Sequence, residues 1–199
     1  MTLTLLPAAD RAATPWKNGG GVTREVASAG VSGPGGTLND FLWRISLADI
    51  GADGPFSAFD GYDRVITLVR GAGMLLTIDG VEHRVDDRFE PLAFSGGSLT
   101  DCALINGPVV DFNVMTRVGA AKAEVTFARL PDVHAEIRVV LDDVRSVAVA
   151  VVVDGHADVR WGATATALGE LDAVVARGER FEITTASRAV VALVRIDEA

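Results

Sequence analysis

Nine consecutive residues, Trp16-Lys17-Asn18-Gly19-Gly20-Gly21-Val22-Thr23-Arg24, hold the densest set of ligand-capable groups in the chain. Three adjacent glycines let backbone N–H groups converge, because Gly tolerates the positive φ angles that an anion-binding concavity needs. Lys17 supplies a cation, Asn18 a donor and an acceptor, Thr23 a hydroxyl and Trp16 a large flat apolar wall. That equipment suits a small anion with some carbon body. The same residues also fit a plain loop, with the glycines shaping a tight turn, Trp16 capping the core and Lys17 in solvent; the stretch alone leaves both readings open.

Further polar groups lie on segments whose patterning is that of strands. Phe41, Trp43, Ile45 and Leu47 alternate with Arg44 and Ser46, which places the last two together on one face. An Arg there either snorkels at a sheet edge or points into a polar cavity, and the pattern leans to the edge. Phe56 and Phe59 follow the Asp53-Gly54-Pro55 turn as core or pocket wall, since no basic groove surrounds them to make them platforms for bases. Arg64 opens the β-branched strand 65–69. Asp111, Asn113 and Met115 alternate with Val110, Phe112 and Val114, a pattern that a solvated outer face accounts for. Asp79-Gly80 is the preferred two-residue hairpin turn, and its register pairs Ile78 with Val81, Leu76 with His83 and Met74 with Val85, all on one face. His83 among those apolar neighbours reads first as a satisfied core histidine.

The remaining elements are short strands and turns. The 30–36 segment is a glycine-rich connection that could rim a pocket, 92–94 and 100–105 suggest a second hairpin around Ser95-Gly96-Gly97-Ser98, and Gly71-Ala72-Gly73 reads as another hairpin connection. Candidate strands in the second half are 125–128, 137–141, 147–153, 157–161, 173–175, 181–184 and 189–196, with Asp154-Gly155 repeating the hairpin signal. The sequence of strands and Gly turns recurs at an offset of about 80 residues. An all-β chain of this kind folds as sandwiches or barrels, and two jelly rolls in tandem fit the strand count better than one. The expected boundary lies near 117–121, giving domains 1–118 and 119–199, the first carrying the site.

Four separated motifs, W-K-N-G-G-G-V-T at 16–23, W-R-I-S-L-A at 43–48, G-P-F-S-A-F at 54–59 and G-P-V-V-D-F-N-V-M at 107–115, occur in an order that resembles the HutD/Ves family. The resemblance covers most of the first 117 residues and implies a bicupin, two tandem RmlC-like jelly-roll barrels, with a regulatory role in histidine utilisation exercised by binding a small pathway metabolite. It also moves Asp111 and Asn113 from an outer face toward a pocket. The ligand set so implied is Trp16, Lys17, Asn18, Thr23, Arg44, Ser46, Phe56, Arg64, Asp111, Asn113 and Met115. N-formylglutamate is the ligand the family suggests, with urocanate as the flatter alternative.

Composition narrows the other classes. A net charge of −9 disfavours direct nucleic-acid binding, and no apolar run approaches a membrane span at a mean hydropathy of +0.30. The N-terminus lacks the basic flank and cleavage site of a secretory signal, and a lone Cys102 fits a reducing compartment, so a cytoplasmic protein is expected, with a homodimer allowed. Catalytic cupins commonly hold a metal with a His-x-His pair, a carboxylate and another His. Here the histidines are His83, His134 and His156, which do not make that set, so neither metal nor cofactor is expected. No nucleophile elbow, P-loop or dinucleotide fingerprint is present. The expected function is therefore binding of a carboxylate metabolite, with no catalytic residue assigned. The enzyme alternative is a metal-independent isomerase or epimerase, with His83 and Tyr62 as base and acid and Lys17 with Arg44 or Arg64 clamping the substrate.

Overall fold

A computed structural model describes residues 2–30, 40–131, 134–141, 143, 145–178 and 180–199. The described residues form strands β1 (Thr2–Leu6), β2 (Ala13–Pro15), β3 (Gly21–Gly30), β4 (Phe41–Ile50), β5 (Gly54–Pro55), β6 (Tyr62–Arg70), β7 (Met74–Ile78), β8 (Val81–Val85), β9 (Leu92–Ser95), β10 (Thr100–Leu104) and β11 (Val109–Arg117). They continue with β12 (Ala121–Leu130), β13 (Ala135–Val140), β14 (Ser146–Asp154), β15 (Ala157–Trp161), β16 (Thr164–Leu168), β17 (Ala173–Arg177), β18 (Arg180–Thr185) and β19 (Ala189–Glu198). The helical content among them is a short 3₁₀ turn, Ala8–Asp10.

The chain divides into two compact units, Ala12–Ala121 and the segments Met1–Arg11 with Lys122–Ala199. The expected boundaries of 1–118 and 119–199 therefore need a correction at the N-terminus. Strand β1 pairs antiparallel with β17, Thr4 opposite Val175, so the chain starts in the second unit before entering the first. An exposed edge at β17 would present unpaired backbone groups, and β1 covers it.

Each unit holds the same jelly roll. In the first, β4-β11-β6-β9 form one sheet, extended by β3 and β2, against β5-β10-β7-β8. In the second, β12-β19-β14-β17 take the same order against β13-β18-β15-β16. Two corner glycines make the repeat physical. Gly71 (φ +105) leads from β6 into β7, and a Cβ there would sit 2.7 Å from the Pro108 carbonyl oxygen, just before β11. Gly155 (φ +81) leads from β14 into β15, where a Cβ would sit 2.5 Å from the Arg188 carbonyl oxygen, just before β19. Both turns demand a left-handed residue with no side chain, so both are Gly. Each changes sheets, so neither Gly71-Ala72-Gly73 nor Asp154-Gly155 is the hairpin that local pattern suggests.

The Asp79-Gly80 hairpin has the expected register, Ile78 with Val81, Leu76 with His83 and Met74 with Val85. Both turn residues take positive φ, +48 and +84, as a type I′ turn requires. Val81 is nevertheless 59 % exposed, because β8 is the edge of its sheet and runs beyond the core. Strands β9 and β10 belong to different sheets, so 92–105 is not a hairpin, and β16 had no signal strong enough to predict it. The proposed rim at 30–36 lies, beyond Gly30, outside the described residues.

Packing of the first unit gathers Ile50, Phe56, Ile66, Leu68, Met74, Leu76 and Val109 into one core, with Trp16, Leu92 and Phe94 against it. At the end of that sheet Phe41, Tyr62 and Met115 form a smaller cluster. The second unit's core gathers Ala148, Val152, Val174, Phe181 and Val191, with Ser146 and Thr185 as its buried polar residues among those described.

Candidate functional site

Strand register assembles the site. Residues directly opposite on neighbouring strands share a face, and three successive rows cross the sheet of the first unit. Arg44 opposes Met115, which opposes Arg64, which opposes Phe94. Ser46 opposes Asn113, which opposes Ile66. Thr23 opposes Ala48, which opposes Asp111, which opposes Leu68. The rows carry Ala48, Ile66 and Leu68 into the core cluster, so this is the inward face of the jelly roll. Seven of the eleven predicted ligand residues, Thr23, Arg44, Ser46, Arg64, Asp111, Asn113 and Met115, thus lie on one buried face.

Arg64 is its centre. Its guanidinium lies 4.8 Å from the centroid of Phe56 and 5.5 Å from that of Phe94, and its Nε donates to Asn113 Oδ1 at 3.1 Å. The side chain is 7 % exposed, and among the described residues no carboxylate makes an ion pair with it. Burial lowers its pKa to about 10, with the charge of Asp111 opposing that, so the group stays cationic at neutral pH. Two aromatic faces are a favourable but incomplete substitute for an anion, worth about 0.5–2 kcal/mol each. A buried cation that no carboxylate ion-pairs directly is the arrangement that an acid ligand completes.

Asp111 is the other charged member. It is 1 % exposed, and its Oδ1 accepts from the Ala48 N–H at 3.2 Å. Burial pushes its pKa up to about 7, while Arg64 and the Ala48 N–H pull it down and Asp49 adds to the rise. A bulge at Val110/Asp111, where β11 skips a residue of β6, shifts the pairing there. Bulges of this kind re-aim side chains beside functional sites. Cys102, also inside, has its thiol pushed up to about 12, first by burial and then by Asp111 and Asp53, and lies 3.8 Å from Met74 Sδ as an inert core thiol.

Of the two readings that its composition leaves open, the glycine loop takes the plain turn. Of the three glycines only Gly19 takes positive φ, +74. Its N–H donates to the Trp16 carbonyl at 3.0 Å, and the Gly20 N–H donates to Asn18 Oδ1 at 3.1 Å. These donors close a turn between β2 and β3 and do not converge on a ligand, so the anion nest is corrected to a structural hairpin. Gly21 is required for another reason: a Cβ there would meet the Asp49 carbonyl oxygen at 2.7 Å and the Trp16 ring at 3.1 Å. Trp16 therefore lies flat over Gly21, donates from Nε1 to Thr23 Oγ1 at 2.7 Å and meets Phe56 edge-on at 5.8 Å between centroids. A continuous wall runs Thr23, Trp16, Phe56, Arg64, Asn113.

Lys17 and Asn18 are not brought into that wall. Both are exposed; Asn18 serves the turn, and Lys17 makes no hydrogen bond or ion pair among the described residues. Arg44 sits on an interior strand, which corrects the leaning toward a sheet edge, and pairs with Glu25 at 2.9 Å from Nε. Sequence reasoning missed Phe94 and Glu25. The 92–94 strand was visible, but only cross-strand register places Phe94 opposite Arg64. Of the proposed acid/base pair, the Tyr62 hydroxyl is committed to the Phe41 carbonyl at 2.9 Å and to Arg117 Nη2 at 3.0 Å. His83 sits half-buried on the edge strand β8.

An open groove of about 410 Å³ lies beside the glycine loop, lined by Gly19 to Val22, Asp49, Ile50, Gly51, Arg70 and 108–110. It includes none of Arg64, Asn113 or Asp111. The buried guanidinium between aromatic rings offers the more specific polar anchor and is the stronger candidate. No group of three or more His, Cys, Asp or Glu able to hold a metal occurs among the described residues, and no helix among them is long and apolar enough to cross a membrane.

The repeat carries these polar residues in one unit and not in the other. Register in the second unit puts Ala148, Leu193 and Val191 where the first has Arg64, Asn113 and Asp111. Two jelly rolls of identical strand order, the first carrying Arg64, Asn113 and Asp111 where the second carries Ala148, Leu193 and Val191, define a bicupin. The chain belongs to the HutD family, whose model matches residues 8–193. It is 47 % identical over 113 residues to an uncharacterized 21.2 kDa protein in the hutC 3′ region of Pseudomonas putida, and 39 % identical over 115 residues to Protein Ves of Escherichia fergusonii. Each match covers 57 % of this chain and 57 % of the relative, little more than half the length of these curated proteins. Among solved structures it is similar to a conserved protein of unknown function from Pseudomonas aeruginosa PAO1, at TM-score 0.86 and 29 % identity, with both chains fully covered. HutD from Pseudomonas fluorescens SBW25, in a formate condition, gives TM-score 0.79 and 32 % identity, again over the whole of both chains. A nickel-bound bacterial pirin from Escherichia coli, at TM-score 0.66 and 12 % identity over the whole of both chains, shares the fold alone.

Proposed function

We propose that this protein binds a small carboxylate-bearing metabolite in the first jelly roll and thereby moderates histidine utilisation, acting in the cytoplasm without a metal. One observation carries the reading: Arg64 is a buried cation held by Asn113 and two aromatic rings, with no ion-pairing carboxylate among the described residues. The ligand's carboxylate occupies the guanidinium, and Phe56 and Trp16 cover its carbon body. Membership of the HutD family supports a link to histidine utilisation, and we match the Arg64 anchor to N-formylglutamate, with urocanate as the flat alternative.

Calorimetric titration with N-formylglutamate and urocanate, against acetate and succinate as controls, tests this. Binding should be selective for a pathway acid and should raise thermal stability with ligand concentration. Arg64→Gln should weaken it by about 1.5–3 kcal/mol, the value of a charge-assisted hydrogen bond, whereas Lys17→Ala should have little effect. Failure of every acid to bind would remove the reading, and turnover of a bound acid would replace it with the isomerase alternative.

A further inference from the structure

Binding a carboxylate at Arg64 gives Arg64 a role and leaves Asp111 with none. Its second oxygen takes no hydrogen bond from the described residues, although the side chain is 1 % exposed. Arg64 leans along the sheet from the Met115 row to Asn113, which brings its charge toward the row of Asp111. The charged or titratable groups bearing on Asp111 are Arg64 from β6, Asp49 from β4 and Cys102 from β10. The pair of Glu25 and Arg44 lies further along β3 and β4.

An anionic ligand would make two carboxylates beside one guanidinium in a site where Arg64 is 7 % and Asp111 1 % exposed. Two like charges sharing such a site do not both stay ionised; one takes a proton. We propose that Asp111 is the specificity-determining residue of this pocket: an acid that seats on Arg64 is taken up together with one proton from solvent, which Asp111 holds on its free oxygen. No bond in the ligand breaks. The neutral carboxyl then donates to an acceptor oxygen of the ligand, so the favoured class is an acid bearing a carbonyl, formyl or amide oxygen beyond its carboxylate. An acid bearing an ammonium group there would find an ionised Asp111 and carry no proton in with it. The inference rests on Arg64 being the carboxylate site.

The near-neutral titration of Asp111, about 7, sets where the effect appears. Above that pH the free protein has an ionised Asp111 and must acquire the proton on binding; well below it the proton is already present. Titration of the wild-type protein with N-formylglutamate in buffers of different ionisation heat, at pH 6 and pH 8, counts the protons. The expected result is an uptake approaching one at pH 8 and much less at pH 6, with affinity falling by up to about tenfold per pH unit on the alkaline side. Asp111→Asn should bind without proton uptake and with affinity flat across that range. Binding at pH 8 with no uptake by the wild type overturns the proposal while leaving Arg64 as the anchor, and so does uptake that persists in Asp111→Asn. No binding at any pH overturns both. If Asp111→Asn does not fold, the wild-type proton count decides alone.

Discussion

Replacing Asp111 by Asn should stabilise the unliganded protein at pH 8 and change little at pH 4.5. Asp111 is an acid whose folded-state pKa is raised, from 3.8 to about 7. Between those values the folded protein holds a proton that the unfolded chain has lost, so the native state binds more protons and stability falls as pH rises. Above about 7 both states are ionised and the loss is complete. At about 1.4 kcal/mol per pH unit, the interval corresponds to roughly 4 kcal/mol at alkaline pH. Burial is the largest cause and exceeds the attraction of Arg64, so the neutral side chain is the one that the fold prefers. Asparagine imitates that form and can still accept from the Ala48 N–H. Urea unfolding of both proteins at pH 4.5, 6, 7 and 8, followed by tryptophan fluorescence, measures the gap. It should open between pH 4.5 and 7 and stay constant above. A variant less stable than wild type at pH 8 would show that Asp111 and Arg64 form a net stabilising pair, and the reasoning about desolvation would fail.

Gly21→Ala should destabilise by about 1–3 kcal/mol through overpacking and shift tryptophan emission, because the new methyl strikes the Asp49 carbonyl and the ring of Trp16; an unchanged melting temperature would contradict the close approach. Tyr62→Phe should cost about 1–3 kcal/mol in thermal unfolding, since the hydroxyl bonds the Phe41 backbone and Arg117 in a buried cluster, yet it should leave acid binding unchanged. Loss of binding with Tyr62→Phe would reopen Tyr62 as a pocket acid.

Features that depend on neighbours in sequence were legible without coordinates. The type I′ turn at Asp79-Gly80 needs only two residues that accept positive φ, and it fixes the register of β7 against β8. Alternation placed Arg44 with Ser46 and Asp111 with Asn113, because a strand has a strict period of two. It did not show whether those faces look inward. That depends on which strands flank them, and β4, β11 and β6 are adjacent through connections of very different length. The glycine loop stayed undecided for a related reason: Gly permits both a nest and a tight turn, and only the positions of Asp49 and Trp16 explain why Gly21 must lack a side chain. Gly71 and Gly155 look like hairpin turns locally but are corners, since the residue that forbids a Cβ comes from over thirty positions later in the chain. The amino-acid sequence by itself determined an all-β repeat, its turn chemistry and the identities of the polar residues. Only the tertiary structure decided that Arg64 stands between Phe56 and Phe94 with no ion-pairing carboxylate among the described residues, because burial and charge pairing are properties of neighbours in space, not in sequence.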